Sequence, residues 1–428
     1  TVGARIEAIT DATWSASENG AYLSFYTTDG NASQSERMRI TATGGVQFGG
    51  ASGADVKFAG SNTYPDMYLV GGQARILYET SAGNFENGIL FDDGVIKFMR
   101  ETSLTNFSFI LDANSRISLS NNDSGGTGGE DSTTGNTVFG YQAGNVIDSG
   151  SINNVFIGHS VGSGANIADA IGNVLIGQNV GRNIYGADAN VSIGKDSGRN
   201  ITNASYNVFL GSRAGHGVAA QNNNVYIGYK SGEVVNGAGN NTAVGFESMK
   251  SAGTAGNNDA ADNVALGYQS LLAITTGDNN VAVGANALDA ETTGQGNVAI
   301  GKNALGLAYT GGYNVAVGYQ AGDAMTVGAT NVAIGYEALS TEQQGSSTIA
   351  IGQEAGFYQN KGSTGATFNT IIGHTAGNFN VTGLSNTSIG AYAMMGASGQ
   401  SHSNNVAVGH SALRVVSTGG SNVAVGSS

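Results

Sequence analysis

The amino-acid sequence predicts an all-β protein built as a parallel β-roll or β-solenoid, and three observations carry that reading. A five-residue phrase recurs through the last two thirds of the chain, clearest as Asn314-Val315-Ala316-Val317-Gly318 and again as Asn331-Val332-Ala333-Ile334-Gly335. Its closing glycine falls seventeen times between Gly140 and Gly426, most often at seventeen-residue intervals. A unit of that length is too short to bury a core alone and about half a helical repeat, so it must stack on copies of itself. The departures are all additions: steps of 18 and 19 at the start, 22 from Gly245 to Gly267, 21 from Gly352 to Gly373 and 19 from Gly390 to Gly409. Insertions without deletions place loops on an invariant coil of about seventeen rungs.

Within the phrase, the residue before glycine is apolar (Phe139, Ile157, Leu266, Val425) and the residue two earlier is Val, Ile or Thr. This alternation of β-branched residues is the pattern of a strand with that face buried. Between them sits Ala in most later copies, as at Ala265, Ala282 and Ala299, but Phe156, Leu175, Phe209 and Tyr226 in earlier ones. The second face is therefore expected to be covered too, more tightly in the later turns. The leading Asn is replaced once, by Thr348, and stacking places Asn280, Asn297, Asn314 and Asn331 in a structural ladder whose amides bond from rung to rung. The closing Gly permits a backbone angle that a side chain forbids. Three residues later comes a small residue (Ala143, Ser197, Ala321), followed by Gly, Leu or Met, and the rest of the unit is turn material.

The composition is abnormal for a compact enzyme: among 428 residues there are 69 Gly, one Pro and no Cys, with 11% charged. Glycine without a G-X-Y period excludes collagen, and the recurrent Val and Ile argue against disorder. Without Cys there are no disulfides, so durability is expected from repetitive pairing and oligomer contacts. No apolar run is long enough to cross a bilayer, so no membrane insertion is expected. A net charge of −14 disfavours nucleic acid and anionic membranes as partners. The chain starts at Thr1 without a signal peptide, which suggests that its first residue is not the translated start.

Four segments are expected. Residues 1–50 form a β-rich module, with strands at Arg5-Ile6-Glu7-Ala8, at Gly20-Ala21-Tyr22-Leu23-Ser24-Phe25-Tyr26-Thr27-Thr28 and at Glu36-Arg37-Met38-Arg39-Ile40. Residues 51–120 form a second, with strands near 67–70, 75–78, 88–91, 95–99, 107–111 and 116–119. Residues 121–135 read as a Gly/Ser linker, and 136–428 as the repeat array.

The order of phrases in the first fifty residues resembles a module common in bacteriophage tail fibres. Phrases such as Asn297 to Gly301 and Asn331 to Gly335 are similar to those in the heads of trimeric autotransporter adhesins, where they form a left-handed parallel β-roll of three chains side by side. Longer units like Asn314 to Gly322 also resemble repeats of phage fibres. The seventeen-residue unit exceeds the adhesin-head unit, which leaves the second half of each turn without a strand assignment. Together the resemblances imply a homotrimeric, extracellular phage or phage-like tail fibre, a shaft of about 80 Å at about 4.8 Å per rung. Its partners would be other virion tail proteins and a host cell-surface glycan or protein receptor. They also imply a C-terminal chaperone domain cut off after assembly, past the last rung at Asn422 to Gly426. A bacterial trimeric surface adhesin or extracellular filament and a polysaccharide-degrading tailspike are the alternatives.

Candidate chemistry is thin, and neither a catalytic, a cofactor-binding nor a metal-binding residue is expected. His159, His374 and His410 share the slot after the closing glycine with Tyr141, Gln178, Lys195, Ser212 and Ala285, the mark of a tolerant surface position. Gly125-Gly126-Thr127-Gly128-Gly129-Glu130-Asp131 faintly resembles a calcium-binding nonapeptide but occurs once. The same slot holds Tyr229, Phe246 and Tyr268 on three successive rungs and Tyr319 and Tyr336 on two more. A row of aromatic side chains flanked by amides suits sugar rings, which makes these five residues a candidate glycan-contact strip; the alternative is that each ring packs over its neighbour and shields the corner.

Overall fold

A computed structural model describes residues 4–10, 21–28, 34–40, 46–48, 65–70, 73–81, 84–92, 95–100, 107–111, 117–118 and 135–427, the last without 146, 148–149, 165–166, 168, 235–238, 252–257 and 309. The chain divides into two compact units, Thr1–Thr133 and Thr134–Ser428. All regular elements are strands, and the described residues contain no helix.

The first unit holds two antiparallel meanders. Strands Ala4–Thr10, Ala21–Thr28, Gln34–Ile40 and Val46–Phe48 pair in chain order, and so do Pro65–Val70, Gln73–Ser81, Asn84–Asp92, Val95–Arg100, Phe107–Leu111 and Ile117–Ser118. Pairing in chain order follows from antiparallel direction, because an antiparallel neighbour needs no crossover connection. In the first meander Glu36 joins two strands: it accepts hydrogen bonds from Arg39 Nε and Nη2 at 2.8 Å each and from the Ser24 hydroxyl at 3.0 Å. The Arg39 guanidinium holds the Glu36 carboxyl below its usual range. The expected linker, apart from Gly135, and the Gly125–Asp131 stretch lie outside the described residues.

The second unit is a parallel β-solenoid of about sixteen turns. Seventeen three-residue strands, from Thr137–Phe139 to Val423–Val425, form one sheet in which each strand pairs only with its sequence neighbours. The register is unbroken: Val315 lies opposite Val332, Ala316 opposite Ala333 and Val317 opposite Ile334, and the insertions do not shift it. The second half of the turn carries little regular structure, chiefly the two-residue pair Gly345–Ser346 and Gly365–Ala366 and isolated bridges such as Ile152 to Ile171.

Two expectations about the strand faces are corrected here. Alternation fixes the period but not the phase, and the face inside is the one the middle residue occupies. Phe156, Leu175, Phe209, Tyr226 and the later alanines from Ala243 to Ala407 are fully buried, and only Ala424 in the last strand is partly exposed. The Val and Ile pair faces outward and is only partly covered, with Ile193 38% and Ile300 40% exposed. The later turns are thus no tighter at mid-strand than the early ones. A second inward position lies four residues after the closing glycine, where Leu271, Leu288, Leu305 and Leu339 are fully buried.

The closing glycine is dictated by the stacking itself. At Gly318 φ is +141°, and a Cβ there would sit 2.3 Å from the Gly335 carbonyl oxygen of the next rung. No side chain fits a corner where successive backbones lie this close.

Candidate functional site

The solenoid presents three columns to a partner or to itself: the asparagine ladder, the outward β-branched pair, and the slot after the closing glycine. All three follow from one cause, since each position of the unit returns to the same place one strand spacing further along.

The ladder runs the length of the array inside the corner that precedes each strand. The Oδ1 of Asn297 accepts the Asn314 backbone N–H at 2.9 Å, and Asn314 Oδ1 accepts that of Asn331 at 2.9 Å. The Nδ2 groups of Asn280, Asn297, Asn314 and Asn331 each donate to a carbonyl fourteen residues on, Gly294, Gly311, Gly328 and Gly345, at 2.7–2.9 Å. Every amide therefore satisfies backbone groups of the following turn that would otherwise be buried unpaired, a cost of about 1–3 kcal/mol each.

At Thr348 the amide is missing, and a residue that the repeat pattern does not single out supplies the side-chain bond to the next asparagine. Gln359 Nε2 donates to Thr348 Oγ1 at 3.1 Å and its Oε1 accepts Asn369 Nδ2 at 3.1 Å, while the Thr348 and Thr367 hydroxyls bond each other. Gln359 stands seven residues after its glycine, an inward position that Ile184, Ile201, Val218 and Ile274 fill elsewhere. A polar residue in an otherwise apolar column was the available signal. The same slot holds Glu291, fully buried, which accepts the Gly294 N–H at 2.5 Å and Asn297 Nδ2 at 3.3 Å. Burial pushes its carboxyl above the usual range, against the backbone hydrogen bonds that lower it.

The five aromatic residues of the candidate strip come together as two stacks. Tyr229 and Phe246 lie 5.3 Å apart between ring centroids and Phe246 and Tyr268 5.5 Å apart, with ring planes 25° and 9° from parallel; Tyr319 and Tyr336 stack at 5.5 Å and 11°. Ala285 and Lys302 occupy the slot between the stacks. Offset stacking is a favourable geometry for aromatic pairs, and it occupies the facing sides of the rings. Phe246 has both faces covered, whereas Tyr268 turns one face toward the turn that carries Ala285. The rings remain 43%, 44% and 51% exposed at Tyr229, Phe246 and Tyr268. What they offer a ligand is chiefly edges, phenol hydroxyls and end faces.

The three histidines of this slot are exposed. His159 stacks on Tyr141 at 5.3 Å, and His374 and His410 meet Tyr392 edge-on at 5.2 and 5.7 Å. Among the described residues no three His, Asp or Glu side chains are grouped to hold a metal ion.

Comparison with protein-family models, with curated proteins and with solved structures gives no match for this chain.

Proposed function

We propose that this chain is the shaft of a homotrimeric phage or phage-like tail fibre that takes part in host-surface attachment, acting through geometry and repeated weak contacts rather than through chemistry. The observation that carries the reading is the outward face of the solenoid sheet. Two columns of Val, Ile, Leu and Thr run from rung to rung along it and stay partly exposed in the single chain. A continuous apolar strip on that scale marks a protein contact surface, and cyclic symmetry lets copies of the chain cover it. The number three comes from the likeness of the Asn-Val-Ala-Ile-Gly phrases to those of trimeric adhesin heads.

Sedimentation equilibrium tests the assembly: the expected mass is three times the 43.1 kDa of one chain. Val298→Lys combined with Val315→Lys, which puts charge into the strip, is expected to dissociate it. A wild-type chain that sediments as a monomer sinks the proposal. In the fibre three copies of each aromatic stack multiply a weak contact. Tyr229→Ala with Tyr268→Ala is then expected to weaken adsorption to host cells, and unchanged adsorption removes the stacks from the receptor surface.

A further inference from the structure

One face of the array carries a feature that neither the ladder nor the aromatic stacks explain. Five residues after the closing glycine, three successive turns hold Arg182, Arg199 and His216. With Ser163, Gly164, Asn183 and Asn200 they line a cavity of about 440 Å³. Its floor is backbone: Gly164 lies directly against the Arg182 carbonyl, and the Asn183 N–H donates to the Arg199 carbonyl at 3.1 Å. The two arginines thus stand on neighbouring rungs, their backbones about 4.8 Å apart.

The charges of this notch are unusual for the molecule. The chain has 31 acidic residues against 17 Lys and Arg, yet the lining contains no carboxylate. Arg182 is exposed and has no ion-pair partner among the described residues, while Arg199 forms one long ion pair, to Asp196 at 3.7 Å. Arg213, beside the notch, is already engaged by Glu233 at 2.6 Å. Like charges on adjacent rungs repel. The proton affinity of the neighbouring His216 is lowered first by burial and then by Arg213 and Arg199, against Asp196 and Glu233, which raise it. A bound anion would remove the repulsion.

The neutral groups narrow the ligand. Asn183 Nδ2 donates to Asn200 Oδ1 at 3.0 Å, which leaves Asn200 Nδ2 without a protein partner among the described residues. Paired guanidinium forks suit a planar carboxylate, and amide and hydroxyl groups suit sugar hydroxyls. The volume is that of a small-ligand site.

We propose that this notch binds a carboxylate-bearing sugar of an acidic surface polysaccharide, the carboxylate between Arg182 and Arg199 and the ring hydroxyls against Asn183, Asn200 and His216. The proposal rests on the surface-attachment reading and names its ligand class, but the site lies within one chain and does not need the trimer. Titration calorimetry of the full chain with trigalacturonate, maltotriose and inorganic phosphate tests it. Trigalacturonate is expected to bind saturably at one site per chain, maltotriose not at all, and phosphate more weakly than the sugar acid. Arg182→Gln with Arg199→Gln should weaken trigalacturonate binding by about tenfold or more, the loss of charge-assisted hydrogen bonds, with the thermal midpoint unchanged. Absence of saturable sugar-acid binding, equal binding by the double variant, or phosphate binding as tightly as trigalacturonate overturns the proposal. None of these outcomes bears on the sedimentation mass, so the two readings fail separately.

Discussion

Most turns before Gly245 and most after it fill one interior in opposite ways, Ser192 with Gly198 and Ile371 with Gly377 being exceptions on either side. In the early turns a large side chain projects from mid-strand, Phe156, Leu175, Phe209 or Tyr226, and the position four after the closing glycine is itself glycine: Gly162, Gly181, Gly215, Gly232. A Cβ at Gly215 would lie 2.6 Å from the Phe209 ring, and one at Gly232 2.4 Å from the Tyr226 ring. In the later turns mid-strand is Ala265, Ala282, Ala299 or Ala333, and the fourth position is Leu271, Leu288, Leu305 or Leu339. Where both are small, as at Ala316 with Gly322, the neighbouring turn supplies the bulk: Leu305 reaches to 3.0 Å of the missing Cβ. The comparison teaches that the stack conserves interior volume and not residue identity, as close packing requires. The late solution carries a conformational cost that the early one avoids. The fourth position is left-handed throughout, φ +58° at Gly215 but also +51° at Leu288 and +51° at Leu305, a region that glycine enters freely and leucine does not.

The largest effect is expected where the two regions agree. A Cβ at Gly211 would lie 2.5 Å from the Gly228 carbonyl oxygen and one at Gly318 2.3 Å from that of Gly335, with φ of +136° and +141°. Gly211→Ala and Gly318→Ala should each destabilise by more than about 4 kcal/mol, since contact and backbone strain add. Gly426→Ala, with φ +138° and nothing within 4 Å of its Cβ, should cost only the strain, about 1–3 kcal/mol. Urea titrations followed by circular dichroism give these values, and unequal costs at Gly211 and Gly318 would break the claim of one shared coil.

Next comes the exchange of volume. Phe209→Ala opens a cavity and should cost about 3–5 kcal/mol, and Gly215→Leu alone should destabilise by overpacking against the ring. Together they convert an early turn into a late one and should recover more than half of the summed loss. Additive losses in this double-mutant cycle would show that the two positions are independent.

A smaller effect isolates the strain. At an ordinary buried site alanine is a better replacement for leucine than glycine is. At Leu288, where φ is +51°, Leu288→Gly should be more stable than Leu288→Ala by about 0.5–1 kcal/mol, because only glycine adopts that backbone without cost. The opposite order in thermal midpoints would mean that this turn relaxes once the side chain is gone.

The repeat, its register and the asparagine column were legible in the sequence because each is a property of position in the unit, and stacking turns position directly into contact. The phase of the strand was not. Val315 and Val317 look like a core pair by their constancy, yet the inside belongs to the more variable Ala316 position, whose size is set by a residue six further on. Reading the column of Phe209 against the column of Gly215, turn by turn, was the signal that would have placed that face inward. Gln359 was hidden for a different reason: it mends a gap at Thr348 from another part of the turn, and only the fold brings the two to 3.1 Å. The aromatic stacks were visible as a row, but not that neighbours would occupy one another's faces, since that depends on ring orientation.

The smallest effect concerns the other inward column, where early and late turns also differ. Seven residues after the glycine, the early turns hold Ile184, Ile201 and Val218, whereas the late turns mix apolar Ile274 and Met325 with Glu291 and Glu342. Burial raises the Glu291 carboxyl above its ordinary value of 4.5. Between that value and the raised one, the folded chain holds a proton that the unfolded chain releases. Stability therefore falls as pH rises through this window, and the deficit persists above it. Glu291→Gln does not titrate, and Gln359 shows that the slot accepts a glutamine. The substitution removes the acceptor of Asn297 Nδ2 at 3.3 Å, but that amide keeps its bond to the Gly311 carbonyl at 2.7 Å. The variant should melt about 1–2 °C above the parent at pH 8, a fraction of a kcal/mol to about 1 kcal/mol in a chain of this size. That advantage should shrink toward zero as the pH is taken down to about 4, where the parent carboxyl is protonated. Melting curves across that range decide it: a glutamine variant less stable at pH 8 would mean that the carboxylate's hydrogen bonds to Gly294 and Thr293 outweigh its burial, and that the late turns gain from the charge they enclose.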